Sequence, residues 1–481
     1  MEKLDVDLII KRSVHGVTAL TSRTFFLNII SLVAFLVITS VLSTSQIGIY
    51  TAVIAIQRVI SFFTDSGLGA ALVQKKENVT QKDITTTFTI QLGISLLIFI
   101  VIILSMGWFA GFFKLNKDAQ MLLLALVFTI FLSSFKVIPS ILLERSLKFN
   151  KLIIPQIIES LIFNGILVWL TIAGSGISSF TWAFLISGLI GIPFYYLISP
   201  WKPKIGIDRE SLRHLKFGIQ FQAKNILATV KDDLLTVILI RFLSFTEIGY
   251  IGFAQRLAFF IYRYVVDSVT KVTFSAYSRM QYDLKFLKTA IEKSLFFVST
   301  AMFPVLFGLI IVSPYLIKHY SSWNKWEPAI FSLIFFCLNA AVSSLSGILV
   351  NMLDATGRVR ITLRLMVLWT VLIWALTPLL IYLYGYNGVS VASFLVTTTI
   401  AYTIYLVKKV VQFNFFSSIR NPLIGSITMS VSIYVLSNLI VKDLLTLIFV
   451  ILMGGLIYSA ILIILSGKEL RSGIAKFGIK I

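Results

Sequence analysis

Arg256, Arg263 and Asp267 recur at i, i+7 and i+11 within FAQRLAFFIYRYVVDSVTKVTF, a stretch that is otherwise apolar. At about 100° per residue the three fall within about 40° of arc on a helix, so they form one polar stripe. Arg58 and Asp65 repeat the two-turn spacing in YTAVIAIQRVISFFTDSGLGAALVQKK. Lys224 and Lys231 do so again in KFGIQFQAKNILATVKDDLLTVILIRFL, where Asp232 and Asp233 follow at once. Guanidinium and ammonium groups on one face suit an oxyanion, because each makes charge-assisted hydrogen bonds to phosphate or carboxylate oxygens. The acids of these stretches, Asp65, Asp232, Asp233 and Asp267, together with Glu159, have two open readings: ion pairs with the neighbouring cations, or sites for a coupling H⁺ or Na⁺. Even after pairing, cations remain in excess, which favours an anionic guest.

Other chemistries find little support. His15, His214 and His319 are scattered, so no metal site follows from them. The single cysteine, Cys337, lies in IFSLIFFCLNAA, which rules out an internal disulfide and reads as a packed thiol. No carboxylate pair stands in a loop as an acid/base couple, and no catalytic residue is expected.

The elements that must carry the charges are set by composition. The chain is 57% apolar and 13% charged over 481 residues, with mean hydropathy +0.93. A soluble domain is about 45–50% apolar, so this is a polytopic membrane protein. About fourteen segments are long enough to cross a ~30 Å hydrocarbon core. Six fall between residues 14 and 199, six between 216 and 407, and two at 422–441 and 444–466. The first is too long for a signal-peptide core and is expected to stay as a helix.

The connections test that count. With a cytoplasmic N-terminus, roughly 28 Lys and Arg fall in inside connections, against roughly six outside: Lys114, Lys117, Arg241, Lys318, Lys325 and Lys442. Both termini are therefore expected in the cytoplasm. The net charge of +21 is thus distributed by membrane topology, with no soluble domain on which to form a nucleic-acid patch. The remaining cations, Arg23, Arg58, Lys136, Lys224, Lys231, Arg256, Arg263 and Lys271, lie inside spans, where a charge costs at least ~2.5–3.5 kcal/mol unless it faces water or a partner. Lys136 and Lys271 are near enough to span ends to snorkel to headgroups.

LSTSQIGIY, Leu42 to Tyr50, resembles LSFTEIGYI, Leu243 to Ile251, and each is followed by a Gln-Arg pair, Gln57-Arg58 and Gln255-Arg256. The copies are six spans apart, so both halves insert in the same orientation. The expected fold is all-α: a transmembrane bundle of two six-helix lobes related by a parallel pseudo-two-fold, plus two C-terminal helices. Its divisions are 1–205, 206–410 and 411–481, with SPWKPKIGIDRESLRHLK, Ser199 to Lys216, as the cytoplasmic linker. In the final GKELRSGIAKFGIKI, Leu470, Ile474 and Phe477 share a face suited to an anionic membrane surface.

FTDSGLGAALVQKKENVTQKDITTTF, VIPSILLERSLKFNKL, IGYIGFAQRLAFF and VTFSAYSRMQYD, taken in order, resemble the Wzx-type polysaccharide flippases of the multidrug/oligosaccharidyl-lipid/polysaccharide exporter superfamily. The usual pattern has a proline in the last of these, where this chain has Ser275-Ala276. The resemblance implies a non-enzymatic carrier in a bacterial cytoplasmic membrane. Its cargo would be oligosaccharide units on polyprenyl pyrophosphate, moved to the outer leaflet for O-antigen, capsule or exopolysaccharide. It implies a cationic cavity, for which Arg58, Lys231, Arg256 and Arg263 qualify, with Arg23 and Lys224 behind them; Tyr262 and Tyr264 are candidate sugar contacts. No cofactor is expected beyond an H⁺ or Na⁺ gradient. Membrane lipids and proteins of polysaccharide assembly are the implied partners. The rivals are a peptidoglycan-precursor flippase, a multidrug exporter, whose cavity would be acidic, and a membrane-embedded polymerase or glycosyltransferase, which would carry a larger outer-face domain.

Overall fold

Long runs of Leu, Ile, Val and Phe leave the backbone one way to satisfy itself in hydrocarbon, which is to bond within the segment as a helix. The computed structural model describes residues 26–64, 69, 72, 79–146, 148–209, 211 and 233–476, with side chains described as far as 467. Arg23, Asp65, Lys224, Lys231 and Asp232 lie outside those residues. Every regular element described is helical. The all-α, multi-pass architecture expected from hydropathy is therefore what the chain forms.

The chain divides into two compact units, Met1–Gly249 and Tyr250–Ile481. The first holds α1 (Phe26–Val41), α2 (Thr44–Thr64), α3 (Gln81–Phe113), α4 (Lys117–Arg145), α5 (Phe149–Ile172), α6 (Ser178–Ile198) and the short α7 (Leu235–Leu239). The helix α8 (Phe245–Met280) contributes its first five residues to this unit and the rest to the second. The second unit continues with α9 (Leu284–His319), a 3₁₀ segment (Ser321–Ala329), α10 (Ile330–Ala355), α11 (Val359–Tyr384), α12 (Gly388–Thr397), α13 (Ile400–Lys408), α14 (Phe415–Ile440) and α15 (Leu444–Lys476).

Ten stretches among the described residues are long and apolar enough to cross a membrane. This is compatible with fourteen passes. Val359–Lys408 contains both α11 and the α12–α13 pair, α1 is clipped at Phe26, and α8 is long enough but rich in charge. The expected span 216–241 is described only from Asp233 onward.

Helix starts follow local chemistry. Thr80 caps α3 by accepting from the Asp83 amide while the Asp83 carboxylate takes the Thr80 amide. Asn116 and Asp283 cap α4 and α9 through their side chains. The repeat noticed in the sequence consists structurally of two matching starts. Ser43 and Gln46 form a reciprocal cap on α2, and Ser244 and Glu247 form the same cap on α8. Within the first unit these two first turns cross in backbone contact. A Cβ on Gly48 would strike the Phe245 carbonyl, and one on Gly249 would strike the Thr44 carbonyl. Only glycine permits that approach.

One expected span is interrupted, and another breaks at its expected end. Residues 387–407 form α12 and α13, broken where Thr397, Thr398 and Thr399 turn their hydroxyls back onto Phe394, Leu395 and Val396 carbonyls. Three successive back-bonds compete with the helix ladder, and Thr399 also accepts from the Trp369 indole. In α15 the backbone leaves the helix at Ser466 (φ −136°, ψ 22°), where Asn421 of α14 donates to the Leu465 carbonyl and to the Ser466 hydroxyl. The helix then resumes to Lys476, through much of the predicted surface-lying tail.

The linker is more ordered than its composition suggested. Its Trp201–Asp208 part is extended along α3: the Gly206 and Asp208 amides donate to Thr89 and Thr86, Trp201 packs edge-on to Phe88, and Lys82 pairs with Asp208 at 3.5 Å. The last two helices brace α9, where Phe296 and Val312 pack with Met429, Ile433, Leu447, Val450, Tyr458 and Leu462.

Candidate functional site

In the first unit Arg58 sits on the exposed side of α2, between buried Ile56 and Ile60. Its Nη1 stands 3.3 Å from Asp233 Oδ1, with half of the arginine side chain (51%) still exposed. The guanidinium thus keeps donors facing outward beyond its carboxylate partner. One residue away, Gln57 Nε2 donates to Ser61 Oγ at 3.0 Å, which continues a polar face along the helix.

In the second unit α8 carries the stripe read from the sequence. Arg256, Arg263, Asp267 and Lys271 are exposed on that unit, while Ala254, Ala258, Val266 and Tyr277 are buried. What holds the helix in that rotation is α10. Asn351 Nδ2 donates to the Thr270 carbonyl at 3.1 Å and to Thr273 Oγ1 at 2.8 Å. Gly347 leaves room for Val266 and the Tyr262 hydroxyl to lie against the α10 backbone. Tyr262 thus packs in the α8–α10 contact, edge-on to Phe259. Asn351 escaped the sequence reading because a lone Asn in an apolar run gives no hint of its partner.

The acids divide. Asp233 serves Arg58, and Asp267 stays on the stripe with Arg263 and Lys271. Glu159 of α5 accepts from Lys136 of α4 at 2.5 Å, with the two side chains only 29% and 12% exposed. Lys136 therefore does not reach for the headgroups. A carboxylate at its own depth on the adjacent helix offers a stronger interaction than partial hydration at the end of a stretched side chain. Gly191 of α6 makes the space, since a Cβ there would lie 2.9 Å from Glu159 Oε2. Among the described residues no group of three or more His, Cys, Asp or Glu is placed to hold a metal ion.

Ten helical stretches among the described residues that are apolar enough to cross a membrane, with exposed arginines on α2 and α8, define a class: a multi-pass helical membrane protein. The chain belongs to the family described as polysaccharide biosynthesis protein, whose model matches residues 16–331, well over half its length. That membership bears out the resemblance to Wzx-type polysaccharide flippases. It is 24% identical over 363 residues to the lipopolysaccharide biosynthesis protein WzxC of Escherichia coli K12, covering 71% of this chain and 70% of that one. The teichuronic acid biosynthesis protein TuaB of Bacillus subtilis is 21% identical over 326 residues, 67% of each chain. Among solved structures, the lipid II flippase MurJ in an inward closed conformation superposes with a TM-score of 0.73 at 20% identity, over 94% of this chain and 100% of that one. An inward-facing multidrug transporter of the MATE family gives 0.62 at 13% identity, over 80% and 95%. These likenesses establish the fold.

Proposed function

We propose that the protein is a flippase that moves polyprenyl-pyrophosphate-linked oligosaccharide units from the cytoplasmic to the outer leaflet of a bacterial inner membrane, by alternating access, for cell-surface polysaccharide assembly. The observation that carries this reading is the exposed Arg256–Arg263 stripe on α8, matched in the other unit by the half-exposed Arg58, in a chain of a polysaccharide biosynthesis family. A lipid diphosphate cannot cross hydrocarbon unaided, because its charge would be desolvated without compensation. Arginines in a wet passage supply bidentate donors to the phosphate oxygens while the polyprenyl tail stays in lipid. Arg58, Arg256 and Arg263 bind the diphosphate in this account. Arg23, Lys224 and Lys231 extend the cationic path, and Asp65, Asp232 and Asp267 are the acids available to couple transport to H⁺ or Na⁺. Asp233 and Glu159 serve as ion-pair partners.

Both termini lie in the cytoplasm in this proposal, as the basic connections support, and 1–205 and 206–410 act as repeated lobes with 411–481 appended. The protein moves its substrate without changing it.

The test is transfer in liposomes. Purified protein given a fluorescent polyprenyl-pyrophosphate oligosaccharide is expected to move it between leaflets with the glycan intact. Glycan elongation would assign an enzyme instead, and transfer of lipophilic cations but not of the diphosphate would assign a drug exporter.

A further inference from the structure

The second unit has an apolar groove of about 270 Å³ between α9 and α14, lined by Phe307, Ile310, Ile311, Ile427, Val431 and Tyr434, with Ser430 at its floor. The Ser430 hydroxyl is buried there without a hydrogen-bond partner. One turn along the two helices, the Tyr315 hydroxyl donates to Asn438 Oδ1 at 2.8 Å. Two lysines follow at this end of the helix pair. Phe307, Ile311 and Lys318 stand at i, i+4 and i+11 on α9, and Ile427, Val431, Tyr434 and Asn438 at i, i+4, i+7 and i+11 on α14, whose end at Ile440 and extended Val441 lead to Lys442. Eleven residues return a helix to within about 20° of its starting direction. Lys318 therefore shares the side of α9 that lines the groove, and Lys442 stands in the short connection that follows α14. His319 and Asp443 also lie at this end. The Asp443 carboxylate is held well below its usual range by the Thr446 amide and hydroxyl, with His319 a smaller contributor, so it is committed to capping α15. Lys318 and Lys442 are both exposed.

We propose that this groove seats one acyl chain of an anionic membrane phospholipid, whose phosphate lies between Lys318 and Lys442. An apolar slot with two exposed lysines beyond one end matches that ligand in both parts, and the lysines select against a zwitterionic lipid. They are notable because basic residues on this side of the membrane are few. The phospholipid would stabilise the bracing of α9 by α14. The seat stands whether or not the protein is a flippase.

The experiment uses the full-length protein in phosphatidylcholine nanodiscs containing a minor share of phosphatidylglycerol, with retained lipid read by native mass spectrometry. The wild-type protein is expected to retain one phosphatidylglycerol in preference to phosphatidylcholine. Val431→Trp, which fills the slot from its lipid-exposed wall, should lower that retention by about tenfold. Lys318→Gln and Lys442→Gln, at exposed positions that leave the slot intact, should each lower the preference for phosphatidylglycerol about fivefold. Equal retention of the two lipids by the wild type, unchanged retention in Val431→Trp, or unchanged preference after both lysines are removed would overturn the proposal. Displacement of the phosphatidylglycerol by an equimolar polyprenyl phosphate would overturn it in favour of a carrier-lipid seat.

Discussion

Lys136 and Glu159 show how a single charged residue survives inside a membrane span. Each alone would be an uncompensated charge in low dielectric. Together, with Gly191 leaving room, they form a short bond between α4 and α5. Removing one partner strands the other. Lys136→Met is therefore expected to destabilise the protein by roughly 2–3 kcal/mol, somewhat below the value for a fully buried pair because Glu159 is 29% exposed. Lys136→Met combined with Glu159→Met should recover most of that loss, since no charge is then left behind. Thermal denaturation in detergent compares the single and double variants; additive losses would show that the two side chains do not act as a pair. Asp208 makes the complementary point outside the membrane. The Ser211 amide, aided by Lys82, holds its carboxyl below the ordinary value of about 3.9. A depressed folded-state pKa contributes stability above that ordinary value, and the contribution is lost as the pH falls through the folded one. The Asp208 end of the strap should thus loosen slightly from α3 on acidification below about pH 4, and Asp208→Asn should loosen it likewise at neutral pH. Hydrogen exchange of the Gly206 and Asp208 amides reads both; unchanged protection in the variant would contradict the account.

Among elements, the likeness of the starts of α2 and α8 was legible from sequence as a repeat, and the structure shows its basis in local capping chemistry. Ser-x-x-Gln and Ser-x-x-Glu followed by Ile-Gly read alike in the chain and form alike in the structure. What sequence did not disclose is that the two glycines meet. Gly48→Ala and Gly249→Ala would each drive a methyl into a carbonyl that cannot swing aside, at a cost of about 1–3 kcal/mol. Gly165→Ala, whose Cβ would meet nothing within 4 Å, should be neutral or slightly stabilising. Thermal stability of the three variants checks this, and equal behaviour would deny the close crossing. The hydropathy of α3 to α6, α10 and α11 placed those helices to within a few residues, because helix is the only solution for an apolar segment in lipid. By contrast, α9 and α14 begin seven residues earlier than expected, in more polar turns that hydropathy does not count. The break at Thr398–Thr399 was not legible, because it depends on side-chain hydroxyls that compete for particular carbonyls and on the Trp369 indole of a neighbouring helix. The expected end of the last span at 466 is where α15 leaves the helix, at Ser466.

For the molecule as a whole, the charge pattern decides more than the apolar bulk. The positions of Arg256, Arg263 and Asp267 on one stripe were readable from the helical period alone, whereas the pairing of Arg58 with Asp233, 175 residues away, was not, since it is set by tertiary packing. The packing of Tyr262 against Gly347 was not legible for the same reason, because Gly347 lies on another helix. The account rests on the in-span arginines facing water and meeting a diphosphate. The most direct measurement is thiol accessibility. In a Cys337→Ala background, which removes the one native thiol, Arg256→Cys and Arg263→Cys are placed in membranes and treated with a charged, membrane-impermeant thiol reagent. The account predicts that both positions react and that a polyprenyl-pyrophosphate oligosaccharide protects them, whereas Val272→Cys, an exposed residue on the same helix, is not protected. Unreactive cysteines at 256 and 263, or reaction that the diphosphate lipid leaves unchanged, would contradict it.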